Sequence, residues 1–199
     1  MSLGPASLAA LVLVGLVIKV CDDYLDGADE EVFQGSGPVG GYVIHASSRG
    51  ILAYALLVVL VAAYLDFEIA ASFFLSAYTV GMVGLNQVNR LPSGLYPMVE
   101  SAFVVGFGFL ATGGLYLPAL ACTVAIQALD DLVDRESDRL NGTRSWCKSW
   151  GVIPTLLVFG IAASLALYLN WSLTVTALGL SRLLTWVLDR QIRWGRELK

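Results

Sequence analysis

Carboxylates dominate the reactive side chains of this sequence, and they come in two similar phrases, CDDYLDGADE at residues 21–30 and LDDLVDRESD at 129–138. Asp23, Asp26 and Glu30 stand at positions i, i+3 and i+7. Asp131, Asp134 and Asp138 repeat that spacing, with Asp22 and Asp130 each one residue earlier. On a helix this spacing gathers the carboxylates on one face. Like charges so placed repel one another, so the pattern calls for a cation. Oxygen donors without a Cys or His cluster select a hard ion, and Mg²⁺ held by a few carboxylates and by substrate phosphates fits better than a closed protein cage. The lone His45 reads as a loop or interfacial residue, and Cys21, Cys122 and Cys147 match no zinc spacing and read as structural thiols. Arg and Lys residues in the same loops would grip phosphate oxygens that the metal does not reach. Acids, metal and basic loops together describe a diphosphate site.

The elements that must position these residues are apolar. The chain is 57% hydrophobic and 14% charged over 199 residues, with a mean hydropathy of +0.72, far from the balance of a water-soluble domain. A crossing helix needs about 20 mostly apolar residues. Such runs fall at about 4–20, 50–65, 67–87, 98–115, 118–133, 151–169 and 171–189, which predicts an all-α integral membrane bundle of about seven transmembrane helices. Leu- and Ala-rich continuity argues against a barrel, and the first run lacks the basic start of a cleavable signal. The 12 basic residues lie at Lys19, in the polar loops and toward the C-terminus, while YLDFEI, GGLYLPA and LNWSL contain none. The positive-inside rule then puts the N-terminus outside, and both acidic phrases and the C-terminus in the cytoplasm of a multi-pass protein of the cell membrane. Trp146, Trp150 and Trp194 suit the cytoplasmic boundary, and Trp171 the opposite one. The Gly-rich stretch 35–50 reads as a mobile cytoplasmic loop. An Asp at mid-bilayer costs roughly 2.5–3.5 kcal/mol, so the clusters must meet water, cations or a polar cavity. The acids recur at the cytoplasmic ends of two helices running in the same direction. The expectation is one domain, 1–199, of two related halves, about 1–87 and 98–190, whose clusters face each other across a cavity.

These residues resemble the UbiA superfamily of intramembrane prenyltransferases. Asp22, Asp23, Asp26 and Glu30 look like its first signature, NDxxDxxxD, and Asp130, Asp134 and Asp138 like its second, DxxxDxxxD. The continuation DRESDRLNGTRSWCKSWG is similar to the family's run of acids, a Gly, a basic residue with Ser or Thr and a closing Gly. The segment NQVNRLPSGLYPMVESAFVVGFGF is similar to the polar loop and helix before the second motif. The likeness covers roughly residues 10–190. Asp22 stands where the family has Asn and Glu30 where it has its last Asp. The family usually has nine helices, and the expectation here is two fewer, one before the first motif and one at the end, so that either a homodimer would supply missing walls or the protein would be a degenerate relative with a different role.

The resemblance implies a fold, a cofactor and a reaction. Mg²⁺ would be held by Asp22, Asp23, Asp26, Asp130, Asp131, Asp134 and Asp138, with Glu30 an outlying ligand. Asp23, Asp26, Asp131 and Asp134 would be the carboxylates closest to catalysis. Arg49, Arg90, Arg144 and Lys148 would contact the diphosphate, and Tyr24 and Tyr42 would shape the pocket. The implied activity is transfer of an isoprenyl group from an isoprenyl diphosphate to a lipophilic acceptor, aromatic or otherwise, among membrane lipids, with no nucleic acid involved. Two other classes share parts of the pattern. DDYLDG resembles the opening of the CDP-alcohol phosphotransferase motif, but ADEE comes next where Ala-Arg is needed. A cation transporter, or another non-catalytic membrane protein, also uses intramembrane acids, but a transporter places them near the midplane at broken helices rather than at helix ends.

Overall fold

The computed structural model describes the backbone of residues 3–33, 48–84, 91, 93–135 and 145–197, and side chains within 3–21, 53–82, 91, 93–135 and 145–187. The predicted loop at 35–50 lies outside the described residues up to 47. Among the described residues the chain is all-helical and has no strand. In order come α1 (Pro5–Phe33), α2 (Ser48–Leu65), α3 (Phe67–Gly84), α4 (Pro97–Thr112), a 3-10 turn (Gly113–Leu115), α5 (Tyr116–Val133), α6 (Trp146–Trp150) and α7 (Val152–Glu197).

Local chemistry explains where these helices break. Asp66 separates α2 from α3, and its Oδ1 accepts the Ile69 N–H at 3.1 Å, satisfying a donor that the first turn of α3 leaves open. Pro97 opens α4 at a position where no N–H is needed. Gly113, at φ +58°, closes α4 in the left-handed region and returns its N–H to the Phe109 carbonyl. α7 is broken at Asn170, whose φ of −157° and ψ of 86° are extended rather than helical. The Asn170 Oδ1 then accepts the Leu173 N–H at 3.2 Å and caps the second arm of α7.

Three contacts show that α7 folds back on itself at that break. Its start adjoins α6, which is bonded to Asp131 near the C-terminal end of α5. Leu169 and Asn170 line a cavity with Leu115 and Pro118, at the opposite end of α5. Twelve residues later, Arg182 touches Asp130, back where α7 began. The arms 152–169 and 171–197 are therefore antiparallel, and α5 and α7 form the most extensive helix–helix interface among the described residues. α5 suits this central place because it is lined with small residues. Ala119, Ala121, Cys122, Ala125 and Ala128 are all buried, and small side chains let backbones approach closely.

The direction of α1 comes from the same core. Ala10, Leu11 and Val14 share a cluster with Ile69 and Phe73 of α3, Ala119 and Cys122 of α5, and Leu173 and Ala177 of α7. A Cβ on Gly15 would come within 3.3 Å of Leu184 and 3.9 Å of Leu180. α1 thus runs in the same sense as α3 and α5, from the end holding Asn170 toward the end holding Asp130.

The outward faces are apolar. Tyr64 is 90% exposed, Leu110 88% and Tyr168 87%, and Leu56, Leu60, Phe103, Phe107, Leu157 and Ile161 are also open. A surface of this kind needs an apolar neighbour. Two stretches, Pro97–Val133 and Val152–Val187, are long and apolar enough to cross a membrane by length and composition. Hydroxyls inside the helices bond to their own backbone: Thr79 to the Leu75 carbonyl, Thr112 to Gly108, Thr123 to Ala119, Thr155 to Gly151 and Thr174 to Asn170, all at 2.8–2.9 Å. None of these needs water.

Candidate functional site

The second acidic phrase is the half of the site with described side chains, and its three carboxylates have three environments. Helix α5 ends at Val133, so Asp130 and Asp131 lie in its last turn and Asp134 is the residue that closes it, with φ −87° and ψ 3° and its N–H bonded to the Asp130 carbonyl. The predicted gathering of these acids on one helix face is thus interrupted at Asp134, and Asp138 lies outside the described residues. Asp131 is 7% exposed. Its Oδ1 accepts from the Gln127 amide at 3.2 Å and its Oδ2 from the Trp146 backbone N–H at 2.6 Å. Asp130 turns toward α7, where its Oδ1 lies 3.0 Å from Nη2 of Arg182. Asp134 is exposed.

Asp131 thereby fixes α6. The N–H it holds belongs to the first residue of that helix, and a charged acceptor makes a short, strong bond there. Ser145 caps the same turn through the Lys148 N–H, 3.3 Å from its Oγ, and Gly151, at φ +92°, ends it. Trp146 and Trp150 stack with ring centroids 5.2 Å apart. Lys148, one of the predicted diphosphate contacts, is exposed on this helix.

The first acidic phrase continues α1. Residues 22, 23, 26 and 30 have helical backbone within Pro5–Phe33, so the i, i+3, i+7 spacing falls on a helix as predicted. Their side chains, and those of Tyr24 and Arg49, lie outside the described residues, as do Tyr42, Arg90 and Arg144 entirely. Asp22 stands seven residues past Gly15, or roughly 10 Å along the axis. Because Gly15 meets Leu180 and Leu184, which flank Arg182 in the chain, this stretch of α1 rises from the level of the Asp130–Arg182 pair toward the end of the bundle that holds Asp134.

Sequence reasoning missed two things here. Arg182 read only as one of the basic residues near the C-terminus, yet it reaches Asp130 across 52 positions of sequence. The helix α6 lay within a predicted loop. Its signal was present in Ser145 as cap and Gly151 as terminator around WCKSW.

The donor set suits a hard cation, being carboxylate oxygen alone. Asp130 and Asp134, one helical turn apart, are the members whose carboxylates are not enclosed as that of Asp131 is. Among the described residues no three His, Cys, Asp or Glu side chains converge, so a metal held here would draw on acids beyond them. No protein-family model matches the chain, and neither a curated protein nor a solved structure does.

Proposed function

We propose that the protein is a multi-pass membrane prenyltransferase with about seven spans, in which the acidic ends of α1 and α5 bind the diphosphate of an isoprenyl donor through Mg²⁺. The observation that carries this reading is the second arm of α7, which touches Gly15 of α1 through Leu180 and Leu184 and Asp130 of α5 through Arg182. It ties the two acid-bearing helices together at one end of the bundle. The resemblance of both acidic phrases to the UbiA signatures supports the choice of chemistry.

Asp22, Asp23, Asp26, Asp130 and Asp134 would hold the metal, with Asp138 and Glu30 at the margin. Asp131 would serve by bracing α6. When bound, Mg²⁺ supplies positive charge where charge develops on a departing diphosphate. Lys148 and the basic residues Arg49, Arg90 and Arg144 would add donors to the same oxygens. A membrane setting would keep water from a reactive allylic cation and bring a lipophilic acceptor to the site. With α5 running toward the basic loops, the positive-inside rule puts the site in the cytoplasmic half of the cell membrane.

The test is incubation of purified protein with Mg²⁺, radiolabelled isoprenyl diphosphates and a membrane-lipid extract, then identification of labelled product. A prenylated lipid that needs both metal and protein is the expected result. Turnover of a CDP-alcohol, or metal flux into vesicles without any prenyl product, would overturn it.

A further inference from the structure

At the end of the bundle away from Asp130, residues of α3, the α4–α5 turn and the break in α7 line a cavity of about 560 Å³, a volume in the range of small-molecule sites. Its walls are apolar at Leu115, Pro118 and Leu169, and Glu68 brings a carboxylate to the lining. Among the described residues Glu68 has no hydrogen-bond or ion-pair partner. Backbone polarity has the same sign. Helix α4 ends in the lining at Thr112 and the first arm of α7 ends there at Leu169, and the last carbonyls of a helix carry partial negative charge. Helices α3 and α5 and the second arm of α7 begin nearby, but each has a first-turn donor already spent or missing. Asp66 accepts the Ile69 N–H, Asn170 accepts the Leu173 N–H, the Tyr116 N–H goes to the Gly113 carbonyl, and Pro118 has no N–H. The three connections at this end contain no Lys or Arg that would neutralise Glu68.

We propose that this cavity binds an aliphatic ammonium compound, with the cationic head at Glu68 and the carbonyl ends of α4 and the first arm of α7, and the alkyl chain against Leu115, Pro118 and Leu169. A carboxylate and carbonyls reject an anion, and a ligand without charge would leave Glu68 unpaired. The apolar walls set an ammonium with a carbon chain apart from a bare metal ion, which gains nothing from them. A free amine and the amine of a lipid headgroup share this chemistry. The site lies at the opposite end of the bundle from the acids of α5 and is independent of the diphosphate reading.

The test uses Gly114→Cys in a full chain whose native cysteines are replaced, held in neutral maltoside micelles. Gly114 lines the cavity and has open space around a Cβ. The rate at which an uncharged methanethiosulfonate labels that thiol should fall saturably as hexylammonium is added, with hexanol about fivefold less effective and hexanoate ineffective. Glu68→Gln should weaken protection by hexylammonium about fivefold and bring it level with hexanol. Ser149→Cys, at the other end of the bundle, should label at an unchanged rate; an equal slowing there would assign the effect to the micelle and overturn the inference. In the native chain hexylammonium should raise the melting temperature, and Gly114→Leu, which fills the space, should remove that rise. Phosphatidylethanolamine added to the micelle separates the two sources: protection before any hexylammonium is present identifies a lipid headgroup, and protection by hexylammonium alone identifies a free amine. Absence of protection, equal protection by hexanol and hexylammonium, or protection unchanged in Glu68→Gln would overturn the inference, and none of these results bears on the diphosphate reading.

Discussion

Within the second acidic phrase, neighbours of identical type have separate tasks. Asp131 is buried with both oxygens accepting hydrogen bonds, whereas Asp134 is exposed at the end of the helix. Asp131→Ala should therefore cost about 1–3 kcal/mol, because it strands the Trp146 N–H and the Gln127 amide. Asp131→Asn keeps an oxygen acceptor and should cost less. Asp134→Asn should leave stability within roughly 0.5 kcal/mol of wild type while weakening Mn²⁺ binding. Thermal unfolding in nanodiscs and Mn²⁺ titration of the three variants check this division. A stable Asp131→Ala protein that no longer binds Mn²⁺ would return Asp131 to the metal. The spacing of the acids is legible in the sequence, but their division of labour is not. It depends on where α5 stops, at Val133, and on a hydrogen bond to a residue 15 positions downstream. The Asp130–Arg182 pair is equally invisible, because one Arg among several near the C-terminus carries no mark of its partner.

The helices themselves were largely written in the hydropathy. Runs expected at about 50–65, 67–87 and 118–133 appear as Ser48–Leu65, Phe67–Gly84 and Tyr116–Val133. α1 differs most, continuing to Phe33 where the apolar run stops near 20. Hydropathy marks the end of burial, whereas a helix carries on as long as its residues tolerate the backbone, and DDYLDGADEEVF contains no proline and a single glycine. The reversals were signalled by polar or glycine residues, Asp66, Gly113 and Asn170, each of which satisfies or frees backbone at a helix end. Asn170 is the most demanding of these, since it leaves helical geometry and also caps the arm 171–197. Asn170→Ala should destabilise the fold by about 1 kcal/mol and Asn170→Asp by less, measured by thermal unfolding. An equal loss in both would mean that the cap is not what Asn170 contributes. The α4–α5 reversal has a steric lock as well. The ring of Tyr116 lies over Gly108, where any Cβ would clash with it, and meets Phe109 edge-on at 5.2 Å. The Tyr116 hydroxyl and Thr79 Oγ1 lie 3.2 Å apart, joining α5 to α3. Gly108→Leu should cost about 1–3 kcal/mol by overpacking, read out as a lowered melting temperature, and an unchanged melting temperature would mean that the hairpin opens freely.

The molecule as a whole has two unlike ends. One gathers the connection at Asp66, the turn at Gly113–Leu115 and the break at Asn170, with Glu68 beside them and no Lys or Arg in those three connections. The other holds Asp130, Asp134, Arg135, Lys148 and the Trp146–Trp150 stack. Trp171, 69% exposed, stands at the first end and Trp150, 50% exposed, at the second; on the proposed multi-pass reading these would be opposite membrane interfaces. If the bundle spans a bilayer as proposed, this asymmetry of charge would orient it, with the acidic end and the basic connections on the cytoplasmic side. The decisive check uses single cysteines in a background where Cys21, Cys122 and Cys147 are replaced. Gly114 has no atom within 4 Å of a Cβ built on it, and Ser149 is exposed on α6, so both positions take cysteine without crowding. A membrane-impermeant maleimide applied to intact cells should label Gly114→Cys directly and Ser149→Cys only after permeabilisation. The reverse pattern would invert the bundle and put the diphosphate site outside the cell. Labelling of both from the same side would mean that α5 and the arm 152–169 do not separate the two ends across a bilayer, and a donor diphosphate would then have no cytoplasmic face to approach.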